Sequence, residues 1–297
     1  MMFDTRAMLG NKDCGNLIVL SKAQSDLLKE KLLEICKDVF SFCEEKNLCC
    51  MLGGGSALGA VRHGGFIPWD DDLDLIMPRA DYDRFAREFE ASMGDKYTLF
   101  VPDGNHRATN LFMKVSMNGT ALEDILSAGR PVKTGITIDI FPIENVPDNG
   151  LKRKIKGIVS DAFAYAAVSA YMFQCRNPVL KSVYSASFKG KVNYAVRLLL
   201  GASMSYMNYE QWYCLFDRFS KNDNDNGLCT IPTGRKHYAG ELTQKDMLYP
   251  PRAAKFESAV VKLPKDTDAY LKRLYGDYHV IPPEDKRERH YYTEIGF

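Results

Sequence analysis

Asp72 and Asp74 stand one residue apart at the head of the apolar run Leu73 to Met77, within the stretch LGGGSALGAVRHGGFIPWDDDLDLIM that spans residues 52–77. In an extended strand alternate side chains share a face, so both carboxylates point one way while Leu73, Leu75 and Met77 point the other. Their Cα atoms would lie ~6.5–7 Å apart, a span that one hard cation with oxygen ligands bridges. Without a cation, two unit charges ~4 Å apart cost about 4 kcal/mol at an effective dielectric near ~20. Asp71 falls on the other parity, and Asp70 lies in the lead-in after Pro68 and Trp69, so both rank below the pair. Asp139 sits alone between Ile138 and Ile140 in GITIDIFP, residues 135–142. By itself it reads as a solvent-facing strand residue. Beside the Asp72 and Asp74 pair it becomes the expected third metal ligand, or the group that activates an attacking hydroxyl.

Gly53, Gly54, Gly55 and Ser56 precede the helix-compatible segment SALGAVRH. Glycines let the backbone approach a ligand, and a helix start offers unpaired N–H groups and a positive dipole end to an anion. Ser56 is expected to cap that helix or to donate to a phosphate. Lys114, among Phe112, Met113 and Val115, either snorkels to the surface or turns inward to meet a phosphate. Together these residues describe a metal-dependent phosphate-transfer site.

The elements that must position them follow from periodicity. Ser21 with Gln24 forms a capping-box pattern that opens a helix reaching about Glu45, and Leu48–Leu52 reads as the strand before the glycine turn. Asp81–Met93 reads as a helix after Pro78, with strands at Tyr97–Val101, Leu111–Met117 and Gly135–Pro142. Helices are expected over 150–175, 179–202 and 208–221, closed by the polar loop Asn222–Gly227. Leu228–Pro232 returns to strand, Asp266–Gly276 forms a short helix, and a proline-marked extended tail follows. The expected organisation is an N-terminal extension over 1–20, a catalytic core over 21–145, a helical subdomain over 146–227 and a segment over 228–297 that completes the domain.

With 297 residues, 45% of them apolar, the chain can bury a substantial core. Its net charge of +1 gives no case for a nucleic-acid partner. Eight cysteines without a CxxC pair suggest neither a zinc site nor a disulfide framework, and reduced thiols in the cytoplasm are the expectation. MMFDTRAMLGNKDCGN lacks the features of a signal peptide. Gly157–Phe173 is short for a membrane span and reads as a buried helix. The basic run Lys152, Arg153, Lys154, Lys156 reads first as a solvated helix face, with peripheral contact to an anionic membrane surface as the other reading.

GGGSALGAVRHGGFIPWDDDLDLIMPRADYDRF, TIDIFP and KFESAVVKLPKDTDAYLKRLYGDYHVIPPEDKR closely resemble the LicD family of phosphotransferases, whose superfamily also includes fukutin-type ribitol-phosphate transferases. The resemblance runs over roughly residues 20–295. It implies an α+β nucleotidyltransferase fold, a mixed β-sheet flanked by helices with a mainly helical middle region. It also implies a glycine-serine turn at Gly55 and Ser56, and metal-binding carboxylates at Asp72, Asp74 and Asp139. The implied reaction moves phosphocholine or a related alcohol phosphate from a CDP-alcohol such as CDP-choline to a glycan or teichoic acid precursor, releasing CMP. The acceptor could be lipid-linked. Mg²⁺, or Mn²⁺, is the expected cofactor. Arg62 and Lys114 are candidates to neutralise the leaving CMP, although Arg62 equally suits a helix surface. Trp69 is the candidate aromatic face for choline, against a plain packing role. His63 reads as structural, and nothing in their spacing gives Tyr275, Tyr278 or His290 a chemical role.

Three other classes compete. A nucleotidyltransferase would use the same carboxylates to attack an NTP α-phosphorus and release pyrophosphate. An Asp-x-Asp glycosyltransferase would hold a nucleotide-sugar, without needing the glycine turn one strand upstream. A non-catalytic binding module would be expected had one of the three carboxylates been lost.

Overall fold

A computed structural model describes residues 17–287 and 290–297. Residues 1–16 of the expected N-terminal extension lie outside the described residues. Helix α1 (Lys22–Glu45) begins where expected: Ser21 Oγ accepts the Gln24 N–H, and the Gln24 side chain accepts the Ser21 N–H. Its buried stripe of Leu28, Leu32, Ile35, Val39 and Phe42 joins the main core. There follow β1 (Met51–Leu52), α2 (Gly54–His63), β2 (Asp74–Pro78), α3 (Arg79–Met93), β3 (Tyr97–Phe100), β4 (Met113–Met117), β5 (Ala121–Asp124) and β6 (Thr137–Asn145). The helical region is α4 (Gly150–Cys175), α5 (Pro178–Ser185), α6 (Phe188–Ser203) and α7 (Tyr209–Ser220). Next come β7 (Leu228–Thr230), α8 (His237–Gly240), β8 (Thr243–Gln244), α9 (Lys245–Leu248), β9 (Arg252–Phe256), β10 (Ala259–Leu263), α10 (Thr267–Tyr275) and β11 (Tyr292–Gly296).

The main sheet runs β1-β2-β6-β4-β3, with β7 attached to the end of β6 and β8 to β7. Among the described residues only β2 and β6 pair in parallel, so the sheet is mixed and the architecture is α+β. One core gathers α1, the sheet and the β9–β10 hairpin; a second, smaller core lies among α4, α5 and α7. Among the described residues no helix is long and apolar enough to cross a membrane, and the seven cysteines found there are all free.

Several elements differ from expectation for identifiable reasons. The first strand shortens to Met51–Leu52 because the Cys49 N–H is taken by Asp81 Oδ2 at 2.9 Å rather than by a strand neighbour. Asp72 lies in the extended lead-in to β2, not inside it; the ladder reaches back only as far as Asp139 N–H donating to Leu73 O at 3.0 Å. β6 continues through Pro142, where a stop was expected. Since the Asp139 N–H faces β2, the nitrogen at 142 faces β4, whose pairing ends at Ile140, so the missing donor costs no ladder bond. The helix expected over 179–202 breaks in two. Ser187 Oγ accepts the Gly190 N–H at 3.0 Å and restarts it, and a Cβ at Gly190 would stand 2.1 Å from the Tyr184 carbonyl. The tail is not merely extended: β11 pairs antiparallel with β5.

Candidate active site

Register assembles the site. Asp74 is the cross-strand partner of Asp139 on the parallel β2–β6 pair, and Asp139 is the partner of Lys114 on the antiparallel β4–β6 pair. Residues directly opposite share a face, so these three form one row across adjacent strands. Lys114 Nζ donates to Asp139 Oδ1 at 2.5 Å, so the lysine turns inward rather than snorkelling. Asp72 adds a further carboxylate at the mouth of the row.

The electrostatics of this cluster call for positive charge. Burial raises the Asp72 carboxyl to about 6; His290 pulls it down, while Asp71 and Asp139 push it up. Burial drives Asp74 well above the ordinary carboxylate range, and the charges of Asp72 and Asp139 add to it. Asp139 is raised by burial, with Lys114 opposing. Each carboxylate therefore resists ionising beside the others, and a hard cation relieves the conflict. Among the described residues no three His, Cys, Asp or Glu side chains already stand as a metal cage. Lys114 occupies one side of Asp139, holding there a positive charge of its own. The donor set, oxygen-only and mutually repelling, suits a Mg²⁺-class ion.

Helix α2 starts against this row. Gly53 is its N-cap, and Gly54 takes φ +45° with its N–H donated to Tyr270 Oη at 3.1 Å. A Cβ at Gly54 would lie 3.0 Å from Asp74 Oδ2, and one at Gly55 3.1 Å from Asp70 Oδ2. The glycines thus let a helix N-terminus press on the acidic cluster. Ser56 behaves differently from expectation: it is buried, and its Oγ accepts the Asp74 N–H at 2.8 Å, so it pins the strand rather than capping the helix.

A cavity of about 870 Å³ brings together Gly54, Gly55, Asp72, Asp74, Lys114 and Asp139, and Arg62 and Trp69 also line it. Ser56 does not. Arg62 donates to the Tyr278 carbonyl at 2.8 Å and to His63 Nε2 at 3.0 Å, so it braces the cavity wall. The Trp69 ring already carries the Arg287 guanidinium at 4.3 Å from its centroid and that of Arg62 at 5.8 Å.

Two groups were not marked by the sequence. Asp71 accepts hydrogen bonds from Tyr292 Oη at 2.7 Å and from His290 Nδ1. Burial would lower the His290 pKa, but its bond to Asp71 and the charges of Asp71 and Asp72 carry it well up. Arg130 is buried on the cavity wall, donating to Tyr171 Oη at 3.1 Å and Asn110 Oδ1 at 3.2 Å, with no carboxylate among the described residues in ion-pair contact. Neither is legible locally, because their partners lie 20 to 221 residues away.

Residues 47–154 match the LicD/FKTN/FKRP nucleotidyltransferase domain. Over 274 residues the chain is 26% identical to the lipopolysaccharide cholinephosphotransferase LicD of Haemophilus influenzae, which takes in 90% of this chain and 97% of that protein. A shorter likeness, 38% over 56 residues, links it to an uncharacterized protein of Rickettsia typhi and covers 19% of this chain and 18% of that one. The acidic row, its lysine and the glycine turn all fall inside residues 47–154, the segment that matches the LicD/FKTN/FKRP nucleotidyltransferase domain.

Proposed function

We propose that the protein transfers an alcohol phosphate, phosphocholine first, from a CDP-alcohol such as CDP-choline to a hydroxyl of a cell-surface glycan or teichoic acid precursor, releasing CMP. The observation that carries this reading is the in-register row of Asp74, Asp139 and Lys114 opening, beside a helix N-terminus, onto a cavity of ligand size. The name of the Haemophilus influenzae relative supports choline phosphate as the group moved.

Phosphoryl transfer asks a protein mainly for positioning and charge stabilisation. A Mg²⁺ ion, held by Asp72, Asp74 and Asp139, would neutralise the donor diphosphate. Gly55 at the start of α2 and the Lys114 ammonium hold phosphate oxygens on the same side. Asp139, oriented by Lys114, accepts the proton of the attacking hydroxyl. Arg130 places a buried cation on the far wall for the anionic part of the donor, and Arg62 keeps the near wall in place. Trp69 offers its ring to the quaternary ammonium in exchange for the Arg287 guanidinium.

The test is ³¹P NMR of the protein with CDP-choline, CDP-ribitol and CTP in parallel, with Mg²⁺ or with EDTA, and with a glycan acceptor extract. CMP release from one CDP-alcohol is expected to need Mg²⁺ and to fall roughly 100-fold or more in Asp74→Asn, Asp139→Asn and Lys114→Met. Pyrophosphate from CTP, with both CDP-alcohols intact, would replace this reading by a nucleotidyltransferase.

A further inference from the structure

Helices α4 and α6 present apolar side chains that the fold leaves uncovered. On α4, Leu151, Ile155, Ile158 and Val159 follow i, i+4, i+7, i+8 spacing, and all are exposed, Leu151 by 68%. The opposite side, Gly157 and Ser160, is buried, with Tyr238 only 2.9 Å from where a Gly157 Cβ would stand. On α6 the arrangement recurs: Phe188, Val192, Val196 and Leu199 are exposed, Phe188 by 83%, while Gly190, Arg197 and Gly201 are buried behind them.

Charge flanks both stripes. At ~100° per residue, Lys152 and Lys154 fall on either side of the α4 stripe, and Lys189 and Lys191 on either side of the α6 stripe. The Arg197 guanidinium lies 4.0 Å from the Tyr165 ring centroid, and a Cβ at Gly201 would meet the Ser169 carbonyl. The helices therefore run in the same direction; the α4 stripe occupies the N-terminal half of its helix, and the α6 stripe runs along most of its own. Across residues 150–203 nine Lys and Arg stand against one acid, Asp161, in a chain whose net charge is only +1.

We propose that this helix pair docks on the surface of an anionic lipid bilayer, its apolar stripes entering the acyl boundary and its lysines lying among the headgroups. An apolar centre rimmed by lysines, with Asp161 as the one acid on these helices, is the pattern of an interfacial helix, and no helix among the described residues could instead span the membrane. Lysine stems extend along apolar surface while their ammonium groups reach outward, which joins the two features physically. A second copy of this chain is the poorer occupant, because the same face would bring like charges together. Tyr165 and Val168 of α4 line the cavity, so docking through α4 sets that cavity near the lipid. The inference goes beyond the transferase reading and does not depend on it.

The test is cosedimentation of the full chain with vesicles of phosphatidylcholine alone and of equal parts phosphatidylcholine and phosphatidylglycerol, at low and raised salt. Binding is expected only to the anionic vesicles and should weaken with salt. The double variants Ile155→Asp with Leu199→Asp, and Lys152→Glu with Lys154→Glu, are each expected to lower the partition coefficient roughly tenfold or more, with unchanged circular dichroism. Absent or equal wild-type binding to the two vesicle types would overturn the proposal, as would variants that bind like wild type. A dimer in sedimentation velocity that the apolar variant dissociates, with lipid binding untouched, would overturn it in favour of a second copy.

Discussion

Single residues were legible where their type conflicted with their neighbours. Asp74 and Asp139 stood out because a carboxylate in an apolar strand needs a reason, and the β2–β6 register places them side by side. Lys114 was ambiguous because a strand position does not say which way a long side chain bends; its bond to Asp139 resolves that. Asp71 was demoted on parity, yet the same parity turns it toward His290 and Tyr292, a role no local pattern announces. A further residue-scale consequence lies away from the site. The His106 Nδ1 stands 2.9 Å from Asp103 Oδ2; that hydrogen bond raises the histidine, with burial opposing. Burial would raise Asp103, but its bonds from His106 and from the N–H groups of His106 and Asn105 bring it down to about 2. The histidine's stabilising contribution is complete below its ordinary value of 6.5 and is lost as pH rises through the raised folded value. The aspartate's is complete above 3.8 and is lost as pH falls through about 2. As pH rises above 6.5 the wild-type melting temperature should therefore drift down, and His106→Gln should flatten that drift, worth ~0.5–1 kcal/mol for a partly exposed pair. An unchanged slope by calorimetry would remove the pair from the account.

At the scale of elements, helix identity was legible and helix attachment was not. Capping at Ser21 and the apolar periodicity of α1, α3 and α4 were sufficient to place them. The split between α5 and α6 was missed because periodicity runs through it, and only the close approach at Gly190 shows the break. β5 and β11 were missed because each is short and finds its partner about 170 residues away. What docks the helical region onto the sheet is an ion network at the first residue of α3. Arg79 donates from Nε to Glu144 on β6 at 2.8 Å and from Nη2 to Asp217 on α7 at 2.9 Å, while Lys221 reaches Asp83 at 3.0 Å. Glu144 is fully buried and Asp217 nearly so. Arg79→Met would leave two buried carboxylates without their main partner, a loss of roughly 3–5 kcal/mol, read as a lowered urea midpoint. If the network also couples the two regions, Trp212 fluorescence on α7 and far-ultraviolet circular dichroism should shift together.

For the molecule as a whole, the mixed α+β architecture follows from the alternation of short apolar strands with amphipathic helices, and that much the pattern of residues supports. The closure of the site does not follow from it. β11 lies against β5 and delivers Tyr292 and His290 to Asp71, so the acidic wall is braced by a segment far along the chain. Tyr292→Phe removes one donor to that carboxylate and should cost about 1.5–3 kcal/mol in a denaturant titration, the range for a hydrogen bond to a charged group. A loss within experimental scatter would mean that His290 alone carries Asp71.

That brace has a temporal side. Asp71 and its partners are separated by 219 and 221 residues, and a ribosome adding ~5–20 residues per second needs roughly 10–45 s to span the gap. During that interval Asp70, Asp71, Asp72 and Asp74 are already made while the histidine and tyrosine that steady them are not. The nascent chain therefore carries an unbraced acidic wall through most of its synthesis, and the site can take its final form only after residues 290–292 have emerged.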